Sequence, residues 1–513
     1  MSYVLGLDIG TTSTVGILIR PEGEVVALAT RSVDLYSPKI GWAEQDPEQW
    51  WSNVREIVAE ILGRGIDAHE IKAIGVTGML PAVVLLDEAG TLLRPSIQQS
   101  DARCGAEVED LKQEIDAEAF LARAGNGLNQ QLVIAKLRWI EKQEPDVFRK
   151  IGTVFGSYDY VNWRLTGERA VEKNWALEGG FVDVASGTVA DDLVALAHIP
   201  PSVLPRKSES HEILGPLSAK AAAETGLIEG TPVVGGAADL IASALAAGIT
   251  RKGDVLLKFG GSVDILIATD NPVSDARMYL DYHLVPGLYM PNGCMATGGS
   301  GLNWFVNIFG NGERVEARAA GISVHQLLDG KAEAVPPGSE GLTILPYFLG
   351  EKTPIHDTYA RAVFSGLTLS HTLGHLWRAM LEGYAYAVAH HIEVLHEIGY
   401  ETTRYFASDG GSNSKVWMQI VADILQQPIQ LLRGHPGSCL GAAWTAAVGT
   451  RMAKDWGEIS MFIGKDTLVE PNARNAALYL NGYRIFRSLY RPASASSNSF
   501  ENLMKPRNLH DAN

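Results

Sequence analysis

One short segment, residues 6–16, constrains the fold most, because it predicts a hairpin with a polar tip. The apolar runs at residues 3–7 and 15–19 indicate two buried strands. Between them, Gly10 lets the backbone approach a bulky anion. The N–H groups and hydroxyls of such a tip can bind phosphate oxygens, and its hydroxyl residues are Thr11, Thr12 and Ser13. Asp8 adds a carboxylate that suits Mg²⁺, directly or through water; a solvated turn is the alternative.

A second segment of the same design lies in the other half of the chain. Residues 254–258 and 263–268 are predicted strands, and the turn between them contains Gly260, Gly261 and Ser262. Two candidate phosphate loops, one in each half, suit a nucleotide held between two domains. The best boundary is at residues 250–253, just before the second loop. We therefore predict domains over 1–249 and 250–490, and a disordered tail over 491–513, where Ser, Asn and Ala dominate.

Composition excludes several classes of protein. A chain of 513 residues is long enough for two or more domains. The net charge of −16 argues against general binding to nucleic acid or to an anionic membrane surface. The three cysteines, Cys104, Cys294 and Cys439, are far apart and suit a reducing cytosol. Since there is no run of membrane-spanning length and no signal peptide, we expect a cytoplasmic protein.

Asp239 is the sharpest candidate for a catalytic residue. It follows a predicted strand at residues 231–234 and two glycines, and it precedes a predicted helix over 240–247. Ligands of open α/β sheets bind at such junctions. A carboxylate there can accept the proton of a hydroxyl that attacks a phosphoryl group. The alternative is an acid that only complements the helix dipole.

Other turns and helices complete the pattern. Gly410 and Gly411 lie between a predicted strand at 405–408 and a predicted helix at 415–425, which suits a nucleotide contact or merely a tight turn. A long helix is predicted over residues 373–398. Asp101 and Arg103 flank a loop, where a surface ion pair is the alternative to a ligand contact.

These motifs together resemble the FGGY carbohydrate kinases, and the resemblance runs from Tyr3 to about Tyr490. The segment Gly350 to Pro354 (Gly-Glu-Lys-Thr-Pro) is similar to the family's Gly-Glu-Arg-Thr-Pro, and Lys136-Leu-Arg-Trp139 resembles the core of its first signature. The second signature is matched by Ala362-x-Phe364-x-Gly366-Leu367 and, seven residues later, His375-Leu376-x-x-Ala379-Met380-Leu381-Glu382. The resemblance implies an α/β protein with two ribonuclease-H-like domains of the actin, hexokinase and Hsp70 type around a central cleft.

The resemblance also implies roles for individual residues. Asp239 matches the family's catalytic base, and Asp8 and Asp239 would lie near Mg²⁺. The residues implied for ATP are Gly10, Thr11, Thr12, Ser13, Gly260, Gly261, Ser262, Gly299, Asn303, Gly410, Gly411 and Lys415. The sequence departs from the family at Gly261, where a threonine is usual.

The sugar pocket implied by the resemblance is most similar to that of the xylulose kinases. Their Gly-Gln-Met-His is replaced here by Gly78-Met79-Leu80-Pro81, while Asp101 and Arg103 of their Trp-Asn-Asp-x-Arg are retained. Pro81 has no side-chain donor where the family has a hydrogen-bonding His. We therefore expect D-xylulose to be a modest substrate at best.

The resulting prediction is an ATP-dependent and Mg²⁺-dependent kinase for a small sugar, such as the ketopentose xylulose. Alternatives are a kinase for ribulose, erythritol, a hexulose or another polyol, and a non-catalytic sugar sensor of the same fold. The expected partner is the sugar alone, without nucleic acid or membrane. The oligomeric state stays open, a homodimer included.

Overall fold

The computed structural model describes residues 2–434 and 437–504. The strands of the first half are β1 (Tyr3–Ile9), β2 (Ser13–Arg20), β3 (Glu24–Ser32), β4 (Glu44–Gln45), β5 (Ile71–Gly78), β6 (Val84–Leu86), β7 (Ser96–Ile97), β8 (Thr153–Phe155), β9 (Ala170–Glu172), β10 (Val182–Asp183), β11 (Thr188–Val189), β12 (Arg206–Ser208), β13 (Ile213–Pro216), β14 (Pro232–Val234) and β15 (Ala237–Ala238). Its helices are α1 (Pro47–Gly63), α2 (Gly105–Glu114), α3 (Ala117–Ala124), α4 (Val133–Gln143), α5 (Pro145–Phe148), α6 (Ser157–Thr166), α7 (Lys173–Glu178), α8 (Asp191–Ala195), α9 (Ala219–Thr225) and α10 (Asp239–Ala246).

The second half continues in the same alternation of strands and helices. Its strands are β16 (Asp254–Phe259), β17 (Val263–Ile267), β18 (Tyr279–Tyr282), β19 (Tyr289–Met295), β20 (Thr343–Leu345), β21 (Val363–Ser365), β22 (Arg404–Ser408), β23 (Ile429–Arg433) and β24 (Gly464–Val469). Its helices are α11 (Gly299–Phe309), α12 (Asn311–Ala320), α13 (Val324–Glu333), α14 (Leu373–Ile398), α15 (Lys415–Leu425), α16 (Ser438–Gly449) and α17 (Ala476–Met504). No helix in the described part of the chain is long and apolar enough to cross a membrane.

Two compact units make up the fold. Unit 1 comprises Met1–Lys252, Ala268–Pro291 and Gly434–Gly464, and unit 2 comprises Gly253–Ile267, Asn292–Arg433 and Lys465–Asn513. The first break therefore falls three residues after the predicted boundary. The predicted domains are each one continuous stretch of chain, so the prediction places residues 268–291 and 434–464 in the second domain. In the structure both segments belong to unit 1. Their packing explains the difference, because β18 contacts α7, and α16 packs against β1, β5 and α10.

Each unit is built around a sheet of similar topology. The sheet of unit 1 has the order β13-β14-β5-β1-β2-β3, with β15 also paired to β5. The sheet of unit 2 has the order β19-β17-β16-β22-β23-β24. In both, three antiparallel strands are followed by parallel neighbours: β1 pairs with β2 antiparallel and with β5 parallel, and β16 pairs with β17 and β22 in the same way. This is the strand order expected of a ribonuclease-H-like core.

Local sequence explains where the helices begin and which face they bury. Asp46 caps α1 by accepting a hydrogen bond from the backbone N–H of Glu48, and Pro47 occupies the first turn. Trp50, Val54, Ile57 and other apolar side chains of α1 are buried at helical spacing. Gly167, in the left-handed region, ends α6.

The chain beyond Arg491 differs from the predicted disordered tail. Helix α17 continues through Met504, and the hydroxyls of Tyr490 and Ser494 both donate hydrogen bonds to the carboxylate of Asp357. The prediction was therefore wrong for residues 491–504, because a tertiary contact holds the start of a segment of weak helix propensity. Residues 505–513 of the predicted tail lie outside the described residues.

Candidate active site

Three parallel strands of unit 1 bring distant parts of the sequence to one edge of its sheet. Asp8 of β1 and Ala237 of β15 both pair with Thr77 of the central strand β5, from opposite sides. Asp239 follows Ala237 by two residues, and Gly78 ends β5. Since neighbouring strands are about 4.8 Å apart, the chain segments that carry Asp8 and Asp239 are about 10 Å apart across the sheet. The two carboxylates predicted to lie near a metal are thus on the same sheet edge.

The first candidate phosphate loop is the tight connection between β1 and β2. The N–H of Gly10 donates to the carbonyl oxygen of Ser13 at 3.0 Å. A Cβ atom at position 10 would lie 2.8 Å from that oxygen, so only glycine fits there. Thr11 and Thr12 are exposed. Asp8 is half-buried, and its Oδ2 accepts a hydrogen bond from the Ser438 hydroxyl at 2.5 Å.

Helix α16 packs closely behind this sheet edge because glycines remove the side chains in between. A Cβ atom at Gly6 of β1 would lie 2.2 Å from the carbonyl oxygen of Cys439. A Cβ atom at Gly441 would lie 2.1 Å from the carbonyl oxygen of Ala242 in α10. The backbone of α16 therefore supports both β1 and α10. This packing positions Asp8 and Asp239.

Asp239 is the first residue of α10 and belongs to a group of acidic side chains. Its Oδ1 accepts a hydrogen bond from the N–H of Leu240 at 2.6 Å. The carboxyl group of Glu178, at the end of α7, hydrogen-bonds to that of Asp281 in β18. Burial, reinforced by the charges of Asp281 and Asp239, raises the pKa of Glu178 well above its ordinary value, and Lys136 opposes this shift. No motif pointed to Glu178 or Asp281, which are far apart in sequence.

The turn after β5 contains the predicted sugar residues Met79, Leu80 and Pro81, and all three are buried. The N–H of Met79 donates to Ile9, and its carbonyl oxygen accepts from Ser157 at 2.7 Å. The turn is thus firmly held against the first phosphate loop. A contact of these side chains with a sugar stays a prediction.

Asp101 and Arg103 form a buried ion pair rather than the surface pair considered as their alternative. Both side chains are 0% exposed. The Asp101 carboxylate accepts from the N–H of Ala43 at 2.6 Å and from the Arg103 N–H and guanidinium at 2.7–2.9 Å. The guanidinium also pairs with Glu44 and stacks 3.8 Å from the centre of the Trp42 ring. With these donors in place, a direct contact of Asp101 with a sugar hydroxyl stays a prediction.

Unit 2 contains a cavity of about 700 Å³ beside the second candidate phosphate loop. The carbonyl oxygen of Gly261 accepts from the N–H groups of Gly298 and Ser300, and that of Gly260 accepts from Gly299. These bonds join the loop to the start of α11. The predicted ATP residues that line the cavity are Gly260, Gly261, Gly299, Asn303, Gly410 and Gly411. Ser262 and Lys415 are not among its lining residues.

Several residues that the motifs did not indicate also line the same cavity. The Trp377 indole donates to Asp329 at 2.8 Å. Burial raises the pKa of Asp329 above its ordinary value, while hydrogen bonds from Trp377 and Ser414 oppose the shift. Trp377 lies within the second signature, and Ser414 follows the Gly410-Gly411 turn. Their closeness to these motifs in the sequence is the signal that could have indicated them. Ser323, His325, Gln326, Asn413 and Trp417 also line this cavity.

Comparison with known families identifies the class to which this fold and site belong. Residues 3–246 match the N-terminal domain of the FGGY family of carbohydrate kinases, and residues 256–450 match its C-terminal domain. The chain belongs to the FGGY family of carbohydrate kinases. It is therefore a phosphotransferase with an alcohol group as acceptor, and the family implies the use of ATP. The predictions of family, two-domain fold and enzyme class are confirmed.

Individual relatives cover almost the whole chain. The solved structure of xylulose kinase from Rhodospirillum rubrum is 56% identical, has a TM-score of 0.91, and covers 97% of this chain and 100% of its own. The xylulose kinase of Escherichia coli (strain K12) is 30% identical over 95% of this chain and 98% of its own length. The gluconokinase of Bacillus subtilis (strain 168) is 29% identical over 96% of both.

Proposed function

We propose that this protein transfers the γ-phosphoryl group of ATP to a hydroxyl of a small ketose, with xylulose as the leading candidate. The observation that carries the proposal is the sheet edge of unit 1, where the first phosphate loop, the Met79–Pro81 turn and Asp239 are brought together by strand register. The relatives that are named xylulose kinases support the choice of sugar. The predicted preference away from D-xylulose, based on Pro81, stays a prediction, and the ratio of kcat/KM for D-xylulose to that for the best acceptor of the assay below tests it.

The nucleotide is proposed to bind in the cavity of unit 2. Its volume is in the range of pockets that hold small-molecule ligands. The lining glycines have no side chains, so phosphate oxygens can approach the backbone there. The aromatic and polar wall around Trp377, Trp417 and Asp329 suits a nucleobase. Ser262 and Lys415 are proposed as more peripheral ATP contacts, since they lie outside the cavity lining. Gly10, Thr11, Thr12 and Ser13 of the first loop are proposed as further phosphate contacts.

Mg²⁺ is proposed to enter with the nucleotide rather than to occupy a preformed cage. No group of three or more His, Cys, Asp or Glu side chains in the described part of the chain is arranged to hold a metal ion. Mg²⁺ commonly keeps several waters and uses one or two carboxylates together with substrate phosphates. Asp8 and Asp239, as hard oxygen donors on one sheet edge, fit that requirement. The bound ion would neutralise phosphate charge.

Asp239 is proposed as the general base. Its position at the start of α10, with the N–H of Leu240 bonded to Oδ1, fixes the orientation of the carboxylate. The carboxylate would accept the proton of the attacking sugar hydroxyl. The charges of Asp239 and Asp281, which both act on the neighbouring Glu178 carboxyl group, would disfavour a negatively charged acceptor, because like charges repel.

Gluconate and other polyols are the competing acceptors. The gluconokinase of Bacillus subtilis is as similar to this chain, at 29% identity, as the xylulose kinase of the same organism, and Pro81 removes a side-chain donor. A coupled ADP-release assay over pentuloses, hexuloses, polyols and gluconate, with Mg²⁺ and ATP, tests the proposal. We expect the highest kcat/KM with a neutral ketose. ADP release with none of these acceptors would refute the proposed function, and gluconate as the best acceptor would refute the proposed class of sugar.

The cellular location and the oligomeric state of the enzyme are proposed on separate grounds. The three cysteines are few and far apart in the sequence, which supports the proposal of a reducing, cytoplasmic environment. The homodimer is a proposal that light scattering on the purified protein would test.

A further inference from the structure

Lys136 of α4 has an unusual environment for a lysine. Its side chain is 0% exposed. The ammonium group donates to the carbonyl oxygen of Gln98 at 2.9 Å and to that of Pro81 at 3.2 Å. A buried lysine is rare because removing its charge from water is unfavourable. Burial lowers the pKa of Lys136 to about 8, so the ammonium form still predominates at pH 7.

The two carbonyl groups belong to the two loops that are proposed to form the sugar pocket. Pro81 ends the Met79–Pro81 turn after β5, and Gln98 begins the loop that leads to Asp101 and Arg103. The loops are paired at their base, where Val83 and Ile97 exchange backbone hydrogen bonds of 2.9 and 3.1 Å. Lys136 adds a second connection, from a helix that belongs to neither loop. It therefore joins the two loops beyond their paired base.

The charge of Lys136 also acts on the acidic groups around the proposed site. Of the groups that face it, Cys104, Asp101 and Glu178 favour its protonated form and Arg103 opposes it. Glu178 is in turn bonded to Asp281 and faces Asp239. The Lys136 ammonium thus opposes the rise in the pKa of Glu178 that burial, Asp281 and Asp239 cause. Both its hydrogen bonds and its charge bear on the sugar-binding side of unit 1.

We propose that Lys136 is a positioning residue for the sugar acceptor: it joins the Pro81 and Gln98 loops and keeps the pocket between them in one geometry. The inference rests on the proposed function only in naming the sugar as the ligand. It is also distinct from a role in stability alone, because a general stabilising residue would not act selectively on the sugar site.

The test compares Lys136→Met with a matched variant on the same helix. Arg138 is also buried and donates to a backbone carbonyl, that of Leu196 at 2.6 Å, and it pairs with Glu114. Neither of its partners belongs to either loop. Arg138→Met therefore removes a buried cation of α4 without touching the loop connection. Lys136→Gln, a smaller change, serves if Lys136→Met does not fold.

Two measurements test the role of Lys136 separately from the proposed function. In hydrogen exchange without ligands, the Lys136 variant should exchange the amides of Met79 and Asp101 about tenfold faster than wild type, since these loops open locally. In kinetics with the best sugar of the ADP-release screen, its sugar KM should rise about tenfold or more, because small displacements weaken binding. Its KM for ATP should stay within about twofold of wild type. Arg138→Met should change neither loop exchange nor sugar KM.

The outcomes that overturn the proposal are equally definite. Unchanged exchange of both loop amides in the Lys136 variant would overturn it, whether or not any sugar is phosphorylated. An equal rise of sugar KM in Arg138→Met would assign the effect to general destabilisation. Absence of ADP release by the wild type would refute the proposed function, while the exchange experiment would still decide the role of Lys136 in joining the loops.

Discussion

The Asp101 carboxylate lies 2.7 Å from the guanidinium nitrogen of Arg103, and neither side chain reaches solvent. Removing one partner of a buried pair leaves the other charge uncompensated. We expect Asp101→Ala to lower the free energy of unfolding by about 3 kcal/mol and to raise the KM of every accepted sugar. Urea unfolding and sugar kinetics measure the two effects.

The matched control for this pair is Asp110→Ala. Asp110 pairs with Lys142 on the surface, where both side chains are more than 40% exposed. Such a pair contributes at most about 1 kcal/mol. If Asp101→Ala were as stable as Asp110→Ala, the buried pair would have no role in holding the loop.

Asp239→Asn is expected to fold normally and to lose most turnover. The asparagine side chain can still accept the hydrogen bond from Leu240, but it cannot take the proton of the sugar hydroxyl. We expect kcat to fall by about 10³-fold, within the usual range for a general base, and sugar affinity to weaken far less. Steady-state kinetics and calorimetric titration with the sugar provide the measurement. Near-normal turnover of the purified variant would remove Asp239 from the mechanism.

The two glycines of the Gly410-Gly411 turn are predicted to respond differently to substitution. A Cβ atom at Gly411 would lie 2.6 Å from the Trp417 ring and 2.7 Å from Cβ of Phe259, whereas at Gly410 nothing lies within 4 Å. Gly411→Val should therefore lower the melting temperature without any ligand. Gly410→Val should keep that temperature and lose protection by Mg–ATP, because the added side chain enters the cavity.

Thermal unfolding of the Gly410→Val and Gly411→Val variants, with and without Mg–ATP, checks both predictions. In the wild type, nucleotide at 100 times its Kd should stabilise the native state by about 2.7 kcal/mol. Full ATP protection in Gly410→Val would place the nucleotide outside this cavity.

Glu351 predicts a pH dependence of stability. Burial raises its pKa from 4.5 to about 7, although the N–H groups of Ala296 and Lys352 donate to its carboxylate. Between pH 4.5 and about pH 7, Glu351 has lost its proton in the unfolded chain but retains it in the folded chain. The contribution of Glu351 to stability is therefore present below about pH 4.5 and is lost as the pH rises through about 7, a change of about 3 kcal/mol.

Glu351→Gln should remove this part of the pH dependence, since an amide does not titrate and still accepts both hydrogen bonds. Urea unfolding at several pH values between 4.5 and 7.5 compares it with the wild type. Glu109→Gln, at an exposed position, is the control that should leave the wild-type slope unchanged. Parallel curves for wild type and Glu351→Gln would show that Glu351 titrates normally.

Sequence patterns of short range were sufficient for much of this protein. The apolar runs and glycines around Gly10 and Gly260 predicted two hairpins of one design, and both are present as β1–β2 and β16–β17. The helical period predicted Leu373–Ile398 and Lys415–Leu425 at the bounds observed. Motifs such as the second signature led to the correct family. These features depend on residues close together in the chain, where turn chemistry and periodicity act.

Only the tertiary structure decided the contacts between distant segments. Strand register brings Asp8 and Ala237 to either side of Thr77, and no local pattern contains that information. The buried Lys136 ammonium bonds to carbonyl groups 38 and 55 residues away, and Asp281 reaches Glu178 from another segment of the chain. Packing also holds residues 434–464 in unit 1. A sequence shows which side chains can be buried or charged, but the partner that satisfies each of them is chosen by packing of the whole chain.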